Sequence, residues 1–313
     1  MPFTLDPEVG AVLTAMAAAG ALPATPRGEA LTLRAVTNVT LELMDAAEPD
    51  SLSVSTKDYA VGTRDGSSIL VRAYMRHGEA PGAAVVYFHG GGMVCGSVQN
   101  YDRLVAKYVE VTGVPFFSVD YRLAPEVRGT TLVNDGLDAL SWVVERTGEF
   151  GIDADRIAVM GDSGGGGVAA GVAIAARDAG IALRKQILIY PMLDDRNVEP
   201  DLEIQPFLTW NYDNNYTGWS ALLGDSLGAA DVSPLAAPAR LTDFAGLAPA
   251  FIDVGELDLF RDEDVKYALG LVAAGVSTEL YVRPGVPHAF DRISGGDASQ
   301  RSWEDRYRAI QSL

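Results

Sequence analysis

A glycine-rich turn at residues 161–165, with the sequence Gly-Asp-Ser-Gly-Gly, constrains the fold more than any other part of the chain. It follows an apolar run at residues 157–160 that is typical of a buried strand, and it leads into a run of small residues. A strand that enters a helix through Gly-x-Ser-x-Gly holds the serine hydroxyl at the top of a sheet, as a nucleophile elbow does. Ser163 is therefore the candidate nucleophile, and the flanking glycines avoid collisions across the turn.

The three histidines of the chain stand in very different contexts. His77 lies between two strand-like runs, which predicts an exposed hairpin residue. His89 opens a His-Gly-Gly-Gly loop directly after the apolar residues 84–88. His288 follows the strand-like residues 278–282 late in the chain, where a serine hydrolase of this type carries its general base. His288 is therefore the candidate base.

Backbone N–H groups near Ser163 are the candidate donors to an oxyanion. A His-Gly-Gly-Gly loop after the third strand supplies such donors in α/β-hydrolases, together with the residue that follows the nucleophile. The sequence therefore predicts an oxyanion hole formed by Gly91, Gly92 and Gly164.

The acid that orients the base is expected between the serine and the histidine, after a strand. Residues 250–254 form such a strand, and Asp258 lies in the loop that follows it, with Glu256 as the second candidate. The carboxylates at 262–264 fit the first turn of a helix, where they suit the helix dipole. Serine, then aspartate, then histidine is the chain order of α/β-hydrolases.

These motifs together resemble the bacterial hormone-sensitive-lipase family of carboxylesterases, within the α/β-hydrolase superfamily. The resemblance extends over most of the chain and rests on residues 89–92, 121–126, 161–163, 258, 261–263, 288 and 290. Within the family the chain is similar to the bacterial heroin-esterase type, on residues 5–8 and 190–195. The resemblance implies a serine carboxylesterase with a Ser163–His288–Asp258 triad.

Two positions depart from the family pattern. Residues 127–131 replace a stretch with proline and an aromatic residue, which puts the shape of the pocket rim in doubt. Gly164 stands where the family usually has alanine, although the backbone donor is kept. Helix propensity predicts that Gly164→Ala would stabilise the helix start and narrow the acyl site, and neutral drift between two small residues is the alternative.

The order of predicted elements indicates an α/β-hydrolase fold, with a mostly parallel eight-stranded sheet, helices on both faces and a helical cap. Strands are predicted near residues 52–61, 68–76, 84–89, 114–120, 157–161, 186–190, 249–254 and 278–283. Helices are predicted near 98–112, 131–148, 165–178, 261–274 and 299–311. We expect residues 1–45 and 193–237 to form the cap, and residues 46–192 and 238–313 to form the two parts of the catalytic domain.

The composition narrows the range of partners. A net charge of −18 disfavours binding to nucleic acid. The expected partner is the small-molecule ester that the resemblance implies, with a homodimer left open. The apolar stretch 11–22 lacks the preceding basic residues of a signal peptide and is too short to span a membrane. We therefore expect a helix that starts at Pro7 after the N-cap Asp6. We also expect a cytoplasmic protein. A single cysteine, Cys95, excludes an intrachain disulfide and is interpreted as a buried thiol. The sequence has no cluster of His and Cys residues that would indicate a metal site, and we expect no cofactor.

Other functions remain to be weighed against short-chain ester hydrolysis. Residues 165–170 also fit the Gly-x-Gly-x-x-Ala fingerprint of dinucleotide sites, but they lie in the middle of the chain, and the nearest acidic residue at the required distance, Asp194, follows a proline. A non-catalytic receptor of the same fold would lack the histidine that His288 supplies. An amidase or another acyl hydrolase would use the same triad, and the motifs do not separate it from an esterase.

Overall fold

The computed structural model describes residues 3–20, 23, 25–78 and 82–313. The strands in this part of the chain are β1 (Val54–Gly62), β2 (Ser68–Arg76), β3 (Gly82–Phe88), β4 (Phe116–Asp120), β5 (Ile152–Asp162), β6 (Lys185–Ile189), β7 (Ala250–Gly255) and β8 (Thr278–Arg283). The helices are α1 (Pro7–Ala19), α2 (Ala30–Ala47), α3 (Asp102–Thr112), α4 (Thr131–Val144), α5 (Thr147–Phe150), α6 (Gly164–Asp178), α7 (Tyr212–Leu223), α8 (Arg261–Ala273), α9 (Phe290–Ile293) and α10 (Asp297–Gln311).

The eight strands form one sheet in the order β1-β2-β4-β3-β5-β6-β7-β8. Strand β2 pairs antiparallel with β1 and with β4, and the pairs from β4 to β8 are all parallel. The mostly parallel sheet predicted from the sequence is therefore confirmed. Strand β5 lies in the middle of the sheet, so the turn at its carboxyl end occupies the crevice where open α/β sheets bind ligands.

Alternate residues of the central strands face two separate cores. In β3, Val86 and Phe88 belong to the core that includes residues of α4, α6 and α8, whereas Val85 and Tyr87 face the core under α3 and α10. This alternation follows the two-residue period of a strand, and both faces are apolar because helices cover both. Ser163 is thus held by a strand that is buried on both sides.

The structure refines several predicted boundaries. Strand β5 begins at Ile152, five residues before the predicted start, because Ile152 pairs with Gly82 of β3 ahead of a register shift, after which Ile157 pairs with Ala84. The predicted helix at 131–148 is two helices, α4 and α5. Helix α1 begins at Pro7 with Asp6 as its N-cap, as predicted, while residues 21 and 22 of the apolar stretch 11–22 lie outside the described residues.

The segment between β6 and β7 is the longest connection in the described part of the chain. It contains helix α7 and short 3₁₀ turns, and none of its residues, all of which the structure describes, belongs to a strand. Its residues 209–211 and 214, together with one side of α2, border the cavity beside Ser163. The two segments expected to form a cap therefore both contribute to the wall of that cavity.

Candidate active site

Ser163 occupies the sharp turn between β5 and α6. Its backbone has φ 56° and ψ −121°, a conformation that residues with a Cβ rarely adopt. The Ser163 N–H donates to the carbonyl oxygen of Ile189 at 2.8 Å, which ties the turn to the end of β6. The neighbouring strand thus stabilises the strained conformation that the Gly-x-Ser-x-Gly motif predicts.

The glycines around Ser163 allow three backbone segments to approach each other closely. A Cβ on Gly161 would collide with the carbonyl oxygen of Gly165, and a Cβ on Gly165 would collide with the carbonyl oxygens of Phe88 and His89. A Cβ on Gly167 would meet the carbonyl oxygen of Met192. This glycine run therefore serves the packing of α6 against the ends of β3 and β6, which accounts for the pattern that mimics a dinucleotide fingerprint.

The three side chains predicted as nucleophile, base and acid lie in one hydrogen-bonded chain. His288 Nε2 is 2.9 Å from Ser163 Oγ, and His288 Nδ1 is 2.7 Å from Asp258 Oδ2. All three residues are buried. Glu256, the second candidate acid, accepts instead from the backbone N–H of Gly285 at 2.9 Å, and so stabilises the turn before His288.

Aromatic rings enclose the imidazole of His288. The ring of Tyr190 meets it edge-on with centroids 4.6 Å apart, and that of Phe260 does so at 5.2 Å. Asp258 accepts a further hydrogen bond from the backbone N–H of Phe260 at 3.0 Å, which fixes the carboxylate. A shielded imidazole can accept a proton from a hydroxyl when one ring nitrogen is hydrogen-bonded to that hydroxyl and the other to a carboxylate.

The predicted oxyanion donors lie next to Ser163. Gly91 and Gly92 have φ of 124° and 58°, which favours glycine at both positions. A Cβ on Gly164 would stand only 2.8 Å from the nitrogen of Gly92, so these two backbone segments lie side by side. The N–H groups of Gly91, Gly92 and Gly164 donate no hydrogen bond within the described ranges, so they are available to an added acceptor.

The other histidines and the cysteine do not join this chain. His89 is fully buried, its ring stacks on Tyr121 at 4.4 Å, and burial lowers the pKa of its imidazole, so it supports the loop as a neutral side chain. His77 is exposed in the turn after β2. Cys95 is buried, and burial raises the pKa of its thiol to about 12, which makes it a poor nucleophile.

A cavity of about 370 Å³ opens beside Ser163 and His288. One wall is an apolar side of α2 that includes Leu33, Val36 and Met44. The size lies within the usual range for small-molecule sites, and the mixture of an apolar wall with a few polar groups is typical of them. Ser163 thus faces a space that can hold an organic substrate.

Some residues of the cavity were not predicted from the sequence. Tyr101 and Arg292 line it, but no local motif distinguishes them from ordinary core or surface residues. Trp210, an aromatic residue of the segment expected to form the cap, lines it as well. Glu263 was interpreted only as a first-turn helix acid. It is buried and accepts from the backbone N–H groups of Leu193 and Asp194, at 2.6 and 3.1 Å, so it anchors the segment after β6.

The described residues offer no metal site and no membrane span. Groups of three or more His, Cys, Asp or Glu side chains that could hold an ion do not occur among them. Within the same ranges, each helix is too short or too polar to cross a bilayer.

Known proteins resemble this chain over most of its length. Residues 85–292 match the family model described as alpha/beta hydrolase fold. An ethyl acetate hydrolase of Pseudomonas putida is 38% identical over 282 residues, which are 86% of this chain and 84% of that protein. An arylesterase of Saccharolobus solfataricus is 32% identical over 260 residues, 80% of this chain and 81% of that enzyme.

An esterase is also among the solved structures that resemble this chain. A bacterial heroin esterase superposes with a TM-score of 0.90 at 34% identity, and the alignment covers 99% of this chain and 98% of that one. The match extends through the segments expected to form a cap as well as the sheet, since nearly every residue of both chains is included. The chain belongs to the hormone-sensitive-lipase family of α/β-hydrolases, and it is a carboxylic ester hydrolase.

Proposed function

We propose that Ser163, His288 and Asp258 are the catalytic triad of a carboxylesterase that acts on short-chain acyl esters. The observation that carries the proposal is the continuous hydrogen-bonded chain from Ser163 Oγ through both ring nitrogens of His288 to Asp258 Oδ2, at 2.9 and 2.7 Å. The strained turn at Ser163 supports the same role, since it presents the hydroxyl to the cavity.

Acylation begins when Ser163 Oγ attacks the ester carbonyl carbon and its proton passes to His288 Nε2. Asp258 holds Nδ1–H, which fixes the tautomer and stabilises the imidazolium that forms. The tetrahedral intermediate collapses as Nε2–H protonates the leaving alkoxide, which departs as the alcohol. The products of this half-reaction are an acyl ester on Ser163 and a neutral His288.

Deacylation repeats these steps with water. His288 Nε2 takes a proton from the water as its oxygen attacks the acyl carbon, and then returns the proton to Ser163 Oγ. In both halves the carbonyl oxygen carries the negative charge, and the N–H groups of Gly91, Gly92 and Gly164 are the proposed donors to it. A single preorganised donor of this kind contributes about 10²–10³ in kcat.

The size of the cavity supports the preference for short acyl groups. A space of about 370 Å³ lies near the lower end of the usual range for ligand sites, about 300–1,000 Å³. One relative is named an ethyl acetate hydrolase, and ethyl acetate carries a two-carbon acyl group. We expect activity on acetyl to hexanoyl esters that falls as the acyl chain lengthens.

We also propose that residues 1–45 and 193–237 act as a cap on the catalytic body formed by 46–192 and 238–313. Support comes from the cavity, whose walls include α2 and residues 209–211. Further support comes from the exposed Arg27, which pairs with Asp213 at 3.1 Å and thereby joins the two cap segments. Such a cap would exclude water and shape the acyl site.

The Ser163→Ala variant tests the proposal directly. We expect a loss of about four to six orders of magnitude in kcat on 4-nitrophenyl butyrate, with unchanged thermal unfolding. A fluorophosphonate probe should label the wild-type protein on Ser163 and should not label the variant. Ser118→Ala is the matched control, because Ser118 Oγ is buried in β4 without a hydrogen-bond partner among the described residues; its activity should equal that of the wild type.

Substantial turnover by Ser163→Ala would disprove the role of Ser163. A series of 4-nitrophenyl esters from acetate to decanoate tests the chain-length preference, and a maximum at decanoate would contradict it. Including the matching anilides in the series measures amidase activity on the same triad.

A further inference from the structure

The cavity beside Ser163 has a cation in its wall that pairs with no carboxylate among the described residues. Arg292, in the last turn of α9, lines this cavity with Ser163 and His288. Its Nε, Nη1 and Nη2 atoms are buried, and no residue of the described ranges accepts a hydrogen bond from any of them. Arg306 differs, since its guanidinium pairs with Asp291 at 2.7 Å. A buried guanidinium without acceptors is costly, so an acceptor supplied by a ligand would stabilise it.

Arg292 is separated from the nucleophile by a single aromatic ring. Its Cζ atom lies 4.7 Å from the ring centre of Tyr101. The hydroxyl oxygen of Tyr101 is 2.6 Å from the point where a Cβ on Gly90 would stand, and Ser163 Cβ is 3.4 Å from that same point. Because Arg292 and Ser163 line the same cavity of about 370 Å³, one substrate in it can contact both.

Carboxylates of the protein lie near Arg292 but already have other partners. Asp45 accepts from the backbone N–H groups of Arg103 and Leu104, and Asp291 is bound by Arg306. Asp162 accepts from Tyr87 at 2.9 Å. Burial opposes the charge of Arg292, yet the surrounding groups keep its pKa raised, and an arginine stays protonated at any physiological pH.

A second donor in the same wall also lacks an acceptor. Trp210 lines the cavity, and its indole Nε1 is buried without a hydrogen-bond partner in the part of the chain that the structure describes. Its ring carbons Cζ2 and Cη2 lie 2.5 and 2.6 Å from the point where a Cβ on Gly92 would stand, next to the proposed oxyanion donors. The cavity thus combines two unused donors with the apolar wall of α2, which suits a substrate with both acceptors and methylene groups.

We propose that the cavity binds esters that carry a free carboxylate, and that Arg292 is the residue that selects them. The two oxygens of a carboxylate match the planar fork of a guanidinium, and such charge-assisted pairs are stronger than neutral hydrogen bonds. The net charge of −18 repels anions at long range, so a buried cation is what would let an anionic substrate bind. This inference rests on the proposed ester hydrolysis at Ser163 and adds the substrate class.

The test compares esters that differ only in charge. One pair is 4-acetoxybenzoate and 4-acetoxybenzamide, with the anion on the alcohol side, and the other is monoethyl adipate and its terminal amide, with the anion on the acyl side. In at least one pair we expect kcat/KM about tenfold higher for the carboxylate. Arg292→Met should lower kcat/KM for that carboxylate by roughly 10- to 100-fold, while the amide changes less than threefold.

Arg301→Gln is the matched control for loss of one positive charge. Arg301 lies on α10 with its side chain 64% exposed, and it does not line the cavity. This variant should keep the wild-type ratio between carboxylate and amide. A wild-type preference for the amide in both pairs, or an equal loss on both members in Arg292→Met, would overturn the inference.

Two further measurements keep the result unambiguous. Competitive inhibition of 4-nitrophenyl acetate hydrolysis by benzoate and by benzamide needs only the wild-type protein, and we expect an inhibition constant at least tenfold lower for benzoate. Equal or weaker inhibition by benzoate would refute the role of Arg292 even if Arg292→Met does not fold. Ser163→Ala should abolish hydrolysis of the two uncharged esters, in which an amide replaces the carboxylate. Hydrolysis that persists in this variant would instead refute the proposed function.

Discussion

The hydroxyl of Thr209 donates a 2.7 Å hydrogen bond to the backbone carbonyl of His288. Thr209 belongs to the segment between β6 and β7, whereas His288 follows β8, so this bond connects the proposed cap to the loop that carries the proposed base. The position of the imidazole therefore depends on the cap as well as on Asp258.

Thr209→Val should impair the reaction more than substrate binding. The change keeps the side-chain shape but removes the donor, and we expect a fall of roughly 5- to 10-fold in kcat with little change in KM, as the loss of one neutral hydrogen bond implies. Steady-state kinetics on 4-nitrophenyl acetate measure both constants. Thr209→Ser retains the hydroxyl and should stay near the wild-type rate; a valine variant as active as the wild type would argue against this coupling.

Gly164→Ala should destabilise the protein, contrary to the expectation from helix propensity. The Cβ would stand 2.6 Å from the nitrogen of Met93 and 2.8 Å from that of Gly92, so the backbone must move. We expect a loss of about 1–3 kcal/mol in unfolding free energy, which exceeds the gain of about 0.5–1 kcal/mol from propensity. The displaced oxyanion loop should also lower kcat about tenfold or more for all substrates.

Gly148→Ala provides the comparison for this variant. Gly148 lies in α5, and a Cβ there meets no described atom within 4 Å. Urea denaturation should show unchanged or slightly higher stability for Gly148→Ala. If Gly164→Ala behaved in the same way, with activity intact, the space around Gly164 would not be limiting and the explanation from propensity or neutral drift would be preferred.

The order of strands and helices was predictable because both faces of the sheet are covered. Apolar runs such as 84–88 mark buried strands, and helices alternate with them along the chain. The start of β5 at Ile152 was missed, because residues 153–156 are exposed and mostly charged although they belong to the strand. The four-residue helix α9 was also missed, since so short a helix shows no periodicity.

Sequence position favoured Asp258 as the acid of the candidate site but kept Glu256 as a second candidate. Asp258 and Glu256 both follow β7, and only the path of the turn directs one toward His288 and the other toward Gly285. The wall of the cavity was beyond prediction for a different reason. Tyr101, Trp210 and Arg292 come from distant parts of the chain. The donors of Trp210 and Arg292 that lack acceptors among the described residues become apparent only after folding.

Asp162 should make stability fall as the pH rises from about 4 to 6. Burial raises the pKa of its carboxyl from 3.8 to about 6, so in this range the folded protein holds a proton that the unfolded chain has released. The contribution of protonated Asp162 to the free energy of unfolding is therefore lost as the pH rises through 6, by roughly 2–3 kcal/mol in total. Asp162→Asn stays neutral and should gain stability relative to the wild type across this range.

Urea denaturation between pH 4.5 and 7.5 measures the difference in unfolding free energy between each variant and the wild type. This difference should grow with pH for Asp162→Asn. It should stay constant for Asp155→Asn, a control in the exposed part of β5. A difference for Asp162→Asn that is constant with pH would mean that Asp162 is already ionised at pH 4.5, against the direction of its pKa shift.

Arg306→Met should strongly destabilise the fold around the base. Arg306 is fully buried in α10 and pairs with Asp291 at 2.7 Å and with Asp253 at 3.3 Å. Burial alone would raise the pKa of Asp291, but the guanidinium of Arg306 holds it below its usual value, so the folded state gains stability above that range and loses it as the pH falls. Without Arg306 the buried Asp291 loses its ion-pair partner, whereas Asp253 keeps Arg283 at 2.7 Å, and one unpaired buried carboxylate costs about 3–5 kcal/mol.

The control for Arg306→Met lies on the same helix. Arg301→Gln removes an exposed charge 3.9 Å from Asp297 and should change stability by less than about 0.5 kcal/mol. Asp291 is three residues from His288, so the loss should appear in activity as well as in the unfolding free energy, and it should shrink at low pH as Asp291 takes up a proton. A loss under 1 kcal/mol at neutral pH would show that the network tolerates an unpaired carboxylate, and that α10 is held to the sheet by its apolar contacts instead.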